Sequence, residues 1–215
     1  MVRTGEDGPK GISTVVVENG ARGLSFGALE DKMGWRSSDT AQLSFTDVRV
    51  PASHLVGPEN TGFALIGAAF LSERIAIAAQ AYSQAQRCLD LAADWCRART
   101  TFGEPLISRQ TVQDTLVRMA ARIDVARTYT RAVVDRFESG ETVASLIPQV
   151  CFAKNTATET GEWVAHEAVQ LFGGMGYMSE SEVERQYRDM RIIGIGGGTT
   201  EILTSLAAKS LGFQA

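Results

Sequence analysis

The sequence predicts a mainly α-helical fold in which part of a small β-sheet or barrel domain precedes a C-terminal antiparallel four-helix bundle. Short strand-like segments separated by turn residues occupy residues 1–58. Beyond them, apolar residues recur at helical spacing in long segments joined by short breaks, a pattern typical of antiparallel bundles. We therefore expect two domains, at residues 1–58 and 59–215.

Short strands are predicted in the first domain. Residues 12–17 form a β-branched run that ends at the turn pair Asn19-Gly20, and segments 24–26, 41–45 and 48–51 also read as strands. A β segment of this size does not easily close a core by itself. We therefore expect it to be part of a larger sheet or barrel.

Five helices are predicted in the second domain. Glycine and proline mark the breaks between them, at 103–105, 139–140 and 173–176. Pro148 falls inside the third helical segment, where it is tolerated only in the first turn. The expected helices cover about residues 63–97, 108–137, 143–172, 180–188 and 199–211.

Composition narrows the classes of function. The chain has 44% hydrophobic and 21% charged residues and a formal net charge of −4. These hydrophobic and charged fractions are typical of globular proteins. No basic stripe interleaves with aromatic residues, so nucleic-acid binding is not expected. The three cysteines and two histidines are not spaced as a metal site. We expect no membrane span and no signal peptide. The cysteine usage and an arginine bias indicate a bacterial cytoplasmic protein.

Three glycines run into the start of the last helix, in the segment Ile195-Gly196-Gly197-Gly198-Thr199-Thr200-Glu201-Ile202. Glycine allows positive φ and close approach of the backbone to a ligand. Thr199 is a suitable N-cap, and the free N–H groups of a helix start attract negative charge. Taken alone, the segment is also consistent with a plain helix entry.

Two further segments lie upstream. Arg99-Thr100-Thr101-Phe102-Gly103 offers a cation, hydroxyls and an aromatic ring within one turn, which suits a pyrophosphate and an adenine. The plain alternative is an arginine that complements a helix C-terminus. The second segment, Gln170-Leu171-Phe172-Gly173-Gly174-Met175-Gly176-Tyr177, is either a glycine C-cap or a backbone edge that meets a dinucleotide.

In their order and spacing, these three segments resemble the C-terminal half of an acyl-CoA dehydrogenase. Members of that family are flavoenzymes that desaturate acyl-CoA thioesters between Cα and Cβ. The resemblance implies the second half of the family's middle β domain followed by its whole helical bundle, with the N-terminal helical domain absent from this chain. It covers essentially every residue here, and the loop at 32–40 supports it.

The resemblance also implies FAD as the cofactor, held by contacts spread over a dimer interface. We therefore expect a homo-oligomer, a dimer or a dimer of dimers, with electron-transfer flavoprotein as the electron acceptor. The positions that match FAD contacts in the family are Arg99, Thr101, Phe102, Gln110, Gln170, Phe172, Gly173, Gly174, Thr199 and Glu201.

The position of the catalytic base departs from the commonest family pattern. Many members carry a glutamate two residues before the threonine of the last turn, where this chain has Gly197. Isovaleryl- and long-chain-type members have glycine there and place the glutamate on the first bundle helix, directly before an arginine. Glu73-Arg74 matches that pattern. The resemblance thus identifies Glu73 as the base, and Arg74 and Gly198 as substrate-side positions.

Helical spacing places Glu73 on one stripe with Ile66, Phe70 and Ile77. An acid on an otherwise apolar stripe is costly unless it faces a cavity or a partner. The catalytic interpretation is favoured over a glutamate paired with its neighbouring arginine on a helix surface, mainly because the resemblance pairs glycine at position 197 with a glutamate at position 73.

Three functions are compatible with these observations. The leading one is an FAD-dependent acyl-CoA dehydrogenase, represented by its C-terminal half. The second is a non-catalytic partner subunit of a hetero-oligomeric acyl-CoA dehydrogenase, and the third is a helical interaction module. Intact Glu73, Arg99, Gln170 and Thr199 favour the first.

Overall fold

Helices dominate the computed structural model, which describes residues 1–213 of the chain. The described helices are α1 (Gly62–Ala98), α2 (Gln110–Glu138), α3 (Val143–Phe172), α4 (Glu182–Arg191) and α5 (Thr200–Ser210). The expected mainly α architecture is thus confirmed, with each helix within a few residues of its predicted position. The chain divides into two units, Met1–Phe70 and Leu71–Ala215.

The first unit contains two small antiparallel sheets. In one, β2 (Ile12–Val15) lies between β1 (Val2–Arg3) and β5 (Leu55–Val56). In the other, β3 (Leu24–Leu29) pairs with β4 (Ala41–Phe45), with an irregularity in register after Phe26.

The strand predicted at residues 48–51 is wrong. Asp47 has a φ of 51°, which turns the chain as it leaves β4. Pro51, which has no N–H to donate, precedes a 3-10 helix at Ala52–His54. The next strand along the chain is β5, which pairs with β2 in the other sheet.

One face of the β3–β4 pair is apolar and open. Phe26 and Leu43 are cross-strand partners, and they are 57% and 50% exposed. Leu29 and Phe45 are exposed to a similar degree. Exposed apolar patches on a sheet mark a surface that another element covers.

Small side chains on α1 let the long helices of the second unit approach closely. Ala78, Ala81, Ala85, Cys88 and Ala92 are fully buried and follow a spacing of three and four residues, so they form one stripe. They share a core with Met119 and Ile123 of α2 and with many residues of α3. Burial raises the pKa of the Cys88 thiol to about 12.

The two short helices pack on this core. Val183 and Met190 of α4 belong to the main cluster, and Arg87 of α1 makes a bidentate ion pair with Glu182 of α4 at 2.9 and 2.7 Å. Leu203 and Ala207 of α5 form a separate cluster with Cys151 of α3. Both short helices therefore pack against α3.

Pro148 is buried in the second turn of α3, one turn later than we expected. Its ring removes one backbone donor from the helix. At the start of the helix, the N-cap residue Thr142 accepts a hydrogen bond from the Ser145 N–H.

The expectation that no apolar run could span a membrane is wrong by the measure of length and composition. α1 contains an 18-residue window with a mean hydropathy of 1.5. Of that window, 17% is buried within the described chain, and a single helix of this kind is weak evidence of a membrane span.

Gly161 of α3 lies where α1 and α4 come closest to it. A Cβ at this position would lie 2.6 Å from Met190 Sδ and 3.3 Å from the Ala81 carbonyl oxygen. Both distances are shorter than ordinary van der Waals contact, so the absence of a side chain allows the three helices to pack together.

We predict that Gly161→Val lowers the free energy of unfolding by about 1–3 kcal/mol, because it overpacks this contact. Urea denaturation followed by circular dichroism measures the change. Gly67→Ala is the control, since a Cβ there meets nothing within 4 Å and removes about 0.5–1 kcal/mol of helix penalty. Equal stability of Gly161→Val and the unmodified protein would contradict the packing argument.

Candidate active site

The carboxylate of Glu73 and the glycine turn before α5 face the same space. A Cβ at Gly197 would lie 3.8 Å from Glu73 Oε1. The neighbouring residue on α1, Arg74, donates from its Nε to the Gly197 carbonyl oxygen at 2.9 Å. The structure therefore brings together Glu73, Arg74 and Gly198, the predicted base and substrate-side residues, at one end of the bundle.

The turn requires glycine at two consecutive positions. Gly197 and Gly198 have φ values of 65° and 102°, a region that other residues rarely occupy. A Cβ at Gly197 would also lie 2.4 Å from Ile77 Cδ1. A side chain on this turn would therefore strain the backbone and displace the end of Ile77, while α1 supplies a carboxylate opposite.

The turn leads directly into α5. Thr199 accepts a hydrogen bond from the Ile202 N–H at 3.3 Å, as an N-cap does. Glu201 lies in the first turn of the helix and is exposed. Its own backbone N–H and the Thr199 hydroxyl hold the pKa of the Glu201 carboxyl below its ordinary value.

Sequence reasoning missed two residues of α3 that contact this turn. Lys154 Nζ donates to the Gly198 carbonyl oxygen at 2.8 Å, and Asn155 Nδ2 donates to the Thr200 carbonyl oxygen at 3.1 Å. Lys154 is fully buried, and burial, together with the charge of Arg74, lowers its pKa. A lysine on the apolar face of a predicted helix was the signal that could have identified it.

The predicted stripe around Glu73 is open within the described residues. Glu73 is exposed, Phe70 is 40% exposed, and Ile66 and Ile77 are half-buried. The enclosure expected for an acid on an apolar stripe is therefore not supplied by the residues in this structure.

A second candidate site lies where the end of α1 meets the end of α3. A cavity of about 600 Å³ lies here. Five residues that the upstream motifs predict as cofactor contacts line its wall. Its aromatic side is formed by Trp95 and Phe172, whose rings stack with centroids 4.7 Å apart. The predicted residues that line it are Arg99, Thr101, Phe172, Gly173 and Gly174.

Phe102 does not lie on this cavity wall. It forms the tip of a hairpin between β6 (Thr100–Thr101) and β7 (Glu104–Pro105), and its side chain is 98% exposed. Phe102 and Gly103 have φ values of 53° and 85°, as in tight hairpin turns. Such a turn directs the ring outward, which the sequence motif alone did not reveal.

Arg109 braces this hairpin and was not among the predicted site residues. Its guanidinium donates to the carbonyl and hydroxyl oxygens of Thr101, both at 2.9 Å. It also lies 5.5 Å from the centre of the Phe102 ring. Arg109 thus orients both Thr101 and Phe102.

Gln110 and Gln170 are exposed and do not line this wall. Gln110 begins α2 and donates to Asp114 at 2.8 Å. Thr199 and Glu201 belong to the glycine turn instead. Of the ten predicted cofactor positions, five line the cavity, two lie at the glycine turn, one lies at the hairpin tip, and Gln110 and Gln170 lie outside all three.

Comparison with known proteins shows which family the chain belongs to. The family model of the acyl-CoA dehydrogenase C-terminal domain matches residues 60–212. Cyclohex-1-ene-1-carbonyl-CoA dehydrogenase of Geobacter metallireducens is 38% identical over 97% of this chain and 54% of its own length. The human mitochondrial short-chain specific acyl-CoA dehydrogenase is 39% identical over 94% of this chain and 48% of its own length.

The backbone is closely similar to a solved structure as well. The crystal structure of a putative acyl-CoA dehydrogenase from Mycobacterium smegmatis superposes with a TM-score of 0.97 at 70% identity, covering 99% of this chain and 55% of that one. The chain spans about half the length of the curated relatives it matches. On the strength of the family match over its helical bundle, this chain belongs to the acyl-CoA dehydrogenase family, a family of flavoprotein oxidoreductases.

Proposed function

We propose that this chain forms the C-terminal half of an FAD-dependent enzyme that desaturates an acyl-CoA thioester between Cα and Cβ, with Glu73 as the base. The observation that carries the proposal is the placement of Glu73 Oε1 opposite a glycine turn whose positive φ values disfavour a side chain of its own. The chain thus keeps one carboxylate at the reacting position, supplied by α1.

The cavity beside Arg99 fits the pyrophosphate part of FAD. An arginine and a threonine hydroxyl supply the charged and neutral donors that phosphate oxygens accept. Gly173 and Gly174 lie on the same wall, and a Cβ at either position would meet nothing within 4 Å. The backbone there is open to close approach by a ligand. Arg99, Thr101, Gly173 and Gly174 would hold the group.

In the proposed reaction, Glu73 takes the proton from Cα of the bound thioester. When bound by the residues of the cavity beside Arg99, FAD would supply the redox chemistry, the uptake of the β-hydrogen as hydride. Negative charge develops on the thioester carbonyl as the proton leaves. The positive end of α5 and the guanidinium of Arg74 lie at the same turn and favour that charge.

We further propose that the enzyme acts as a homo-oligomer in the cytoplasm, with electron-transfer flavoprotein as its acceptor. Exposed side chains near both candidate sites support assembly: Phe102, at the hairpin tip, is 98% exposed, and Ile202, at the start of α5, is 60% exposed. Apolar groups of this size are common at interfaces between subunits. A second copy or the remaining part of the enzyme would enclose Glu73.

Glu73→Gln tests the base. We expect the variant to retain its fold and FAD but to lose at least about 100-fold in turnover, because an amide cannot accept the proton. Turnover is measured with acyl-CoA and an artificial electron acceptor. Glu138→Gln, at the exposed end of α2, is the matched control. Near-normal turnover of Glu73→Gln in a flavin-loaded sample would exclude Glu73 as the base.

Moving the base to the turn tests whether the two positions serve one site. We expect Glu73→Ala with Gly197→Glu to stay inactive, because the new Cβ collides with Ile77 Cδ1. Ile77→Val removes that one atom, and we expect the triple variant to exceed the double variant by roughly tenfold, a fraction of what a general base contributes.

The control for this series is Ile77→Val alone, which should turn over at close to the normal rate. Equal turnover in the double and triple variants would show that Glu73 and Gly197 do not address the same reacting atom.

Arg99→Ala tests the cofactor cavity. We expect FAD binding to weaken by about 1.5–3 kcal/mol, the range for a hydrogen bond to a charged group. Equilibrium dialysis measures the affinity. Arg97→Ala is the control, because Arg97 is exposed and pairs with Asp94 at 2.8 Å on the same helix end. Unchanged affinity in Arg99→Ala would leave Arg99 with a role at the helix end only.

A further inference from the structure

Lys154 is the largest fully buried side chain in the described part of the chain. Its ammonium donates to the carbonyl oxygen of Gly198 at 2.8 Å, a neutral acceptor. A buried cation is costly unless strong interactions compensate for its lost hydration. The surrounding face of α3 consists of small and apolar residues such as Ala153 and Ala157, for which an apolar side chain would be sufficient.

The turn that Lys154 contacts has little stiffness of its own. Two consecutive glycines with positive φ have many accessible backbone conformations, and ordering them costs more entropy than ordering other residues. The turn is instead held from outside. Arg74 of α1 donates to the Gly197 carbonyl, Lys154 of α3 donates to the Gly198 carbonyl, and Asn155 donates to the Thr200 carbonyl.

Holding a carbonyl also directs the N–H on the other side of the same peptide group. In a trans peptide the C=O and N–H bonds point in opposite directions, and there are no cis peptides among the described residues. The Gly197 carbonyl belongs to the same peptide group as the Gly198 N–H, and the Gly198 carbonyl to that of the Thr199 N–H. The two cations therefore aim these N–H groups away from themselves and polarise them as donors.

We propose that Lys154 is a positioning residue for the reaction: by holding the Gly198 carbonyl it fixes the glycine turn opposite Glu73 and the direction of the N–H groups at the start of α5. The expected effect of Lys154 on turnover rests on the proposed function. The expected effect of Lys154 on the conformation of the glycine turn does not, because that conformation is a property of the chain itself.

The test compares Lys154→Met, which fills a similar volume without a donor, with Lys154→Gln, which keeps a shorter neutral one. In the flavin-loaded protein we expect Lys154→Met to lower kcat by about 10- to 100-fold, the effect of a misplacement on the order of 1 Å, with little change in KM for the acyl-CoA. Lys154→Gln should recover part of the loss.

Val150→Ala is the matched control. Val150 is buried one helical turn before Lys154 on α3, so its truncation destabilises the helix packing without removing a contact to the turn. We expect Val150→Ala to keep kcat at a comparable loss of thermal stability. A fall in kcat of the same size in both variants would show that Lys154 acts through stability alone and would overturn the proposal.

Hydrogen exchange provides a readout that is independent of turnover. The Gly196 N–H bonds the Ile192 carbonyl at 2.7 Å, and the Leu203 N–H bonds the Thr199 carbonyl at 3.0 Å. We expect these amides to exchange faster in Lys154→Met, while amides in the middle of α2 keep their rates. Unchanged exchange at the turn would overturn the proposal. Absence of turnover in the unmodified protein would instead reject the proposed function, and exchange would still decide whether Lys154 holds the turn.

Discussion

Two cations hold the backbone of the glycine turn, and the geometry of the candidate active site depends on this contact. Arg74 and Lys154 come from different helices and donate to the carbonyls of consecutive residues, Gly197 and Gly198. Glycine is favoured at both positions because their φ values strain other residues and a Cβ at Gly197 would displace the end of Ile77. Neither glycine carries an acid, and the carboxylate that faces them comes from α1. The backbone conformation of the turn is thereby linked to the location of the proposed base.

The packing of the bundle makes this contact possible. Arg74 and Lys154 can reach one turn only if α1 and α3 lie close together, and the stripe of alanines and Cys88 on α1 provides that closeness. Gly161 does the same on α3, where a single Cβ would press on Met190 and on the backbone of α1. Small residues in the core are therefore as important for the site as the charged groups that line it, because they determine how far apart the charges are.

The cavity proposed for the cofactor differs from the glycine turn in that aromatic rings and open backbone, not cations that donate to backbone carbonyls, form its wall. Its wall combines a rigid aromatic stack of Trp95 and Phe172 with open glycine backbone and an exposed arginine. Phe102, held beneath Arg109 at a hairpin tip, points away from the chain. Residues that resemble cofactor contacts but stand apart in one chain fit a site assembled from two chains, where an exposed aromatic ring of one reaches the other. The open face of β3 and β4 in the first unit is in keeping with a chain that spans about half of its relatives' length.

The sequence by itself determined the helices, the glycine-rich segments and the family, because helical periodicity, glycine breaks and motif spacing are local properties of the chain. It also identified Glu73 as a candidate base, through the glutamate–arginine pair and the glycine at position 197. It did not reveal that Pro148 is accommodated in the second turn of α3, that residues 48–51 leave the sheet, or that Phe102 points outward. Those outcomes depend on the geometry of local turns. The residue types in these segments allow that geometry, but they allow other geometries as well.

Only the tertiary structure decided the roles of Lys154 and Asn155. Lys154 is 44 residues and Arg74 is 123 residues from the glycine carbonyls that accept their hydrogen bonds. The periodicity of one helix does not predict which distant backbone atom a side chain will contact. A lysine among apolar residues signals an unusual environment, but its partner is a neutral carbonyl that every residue possesses. The choice among those carbonyls is made by the packing of three helices, since that packing alone determines which one lies within reach of the buried ammonium.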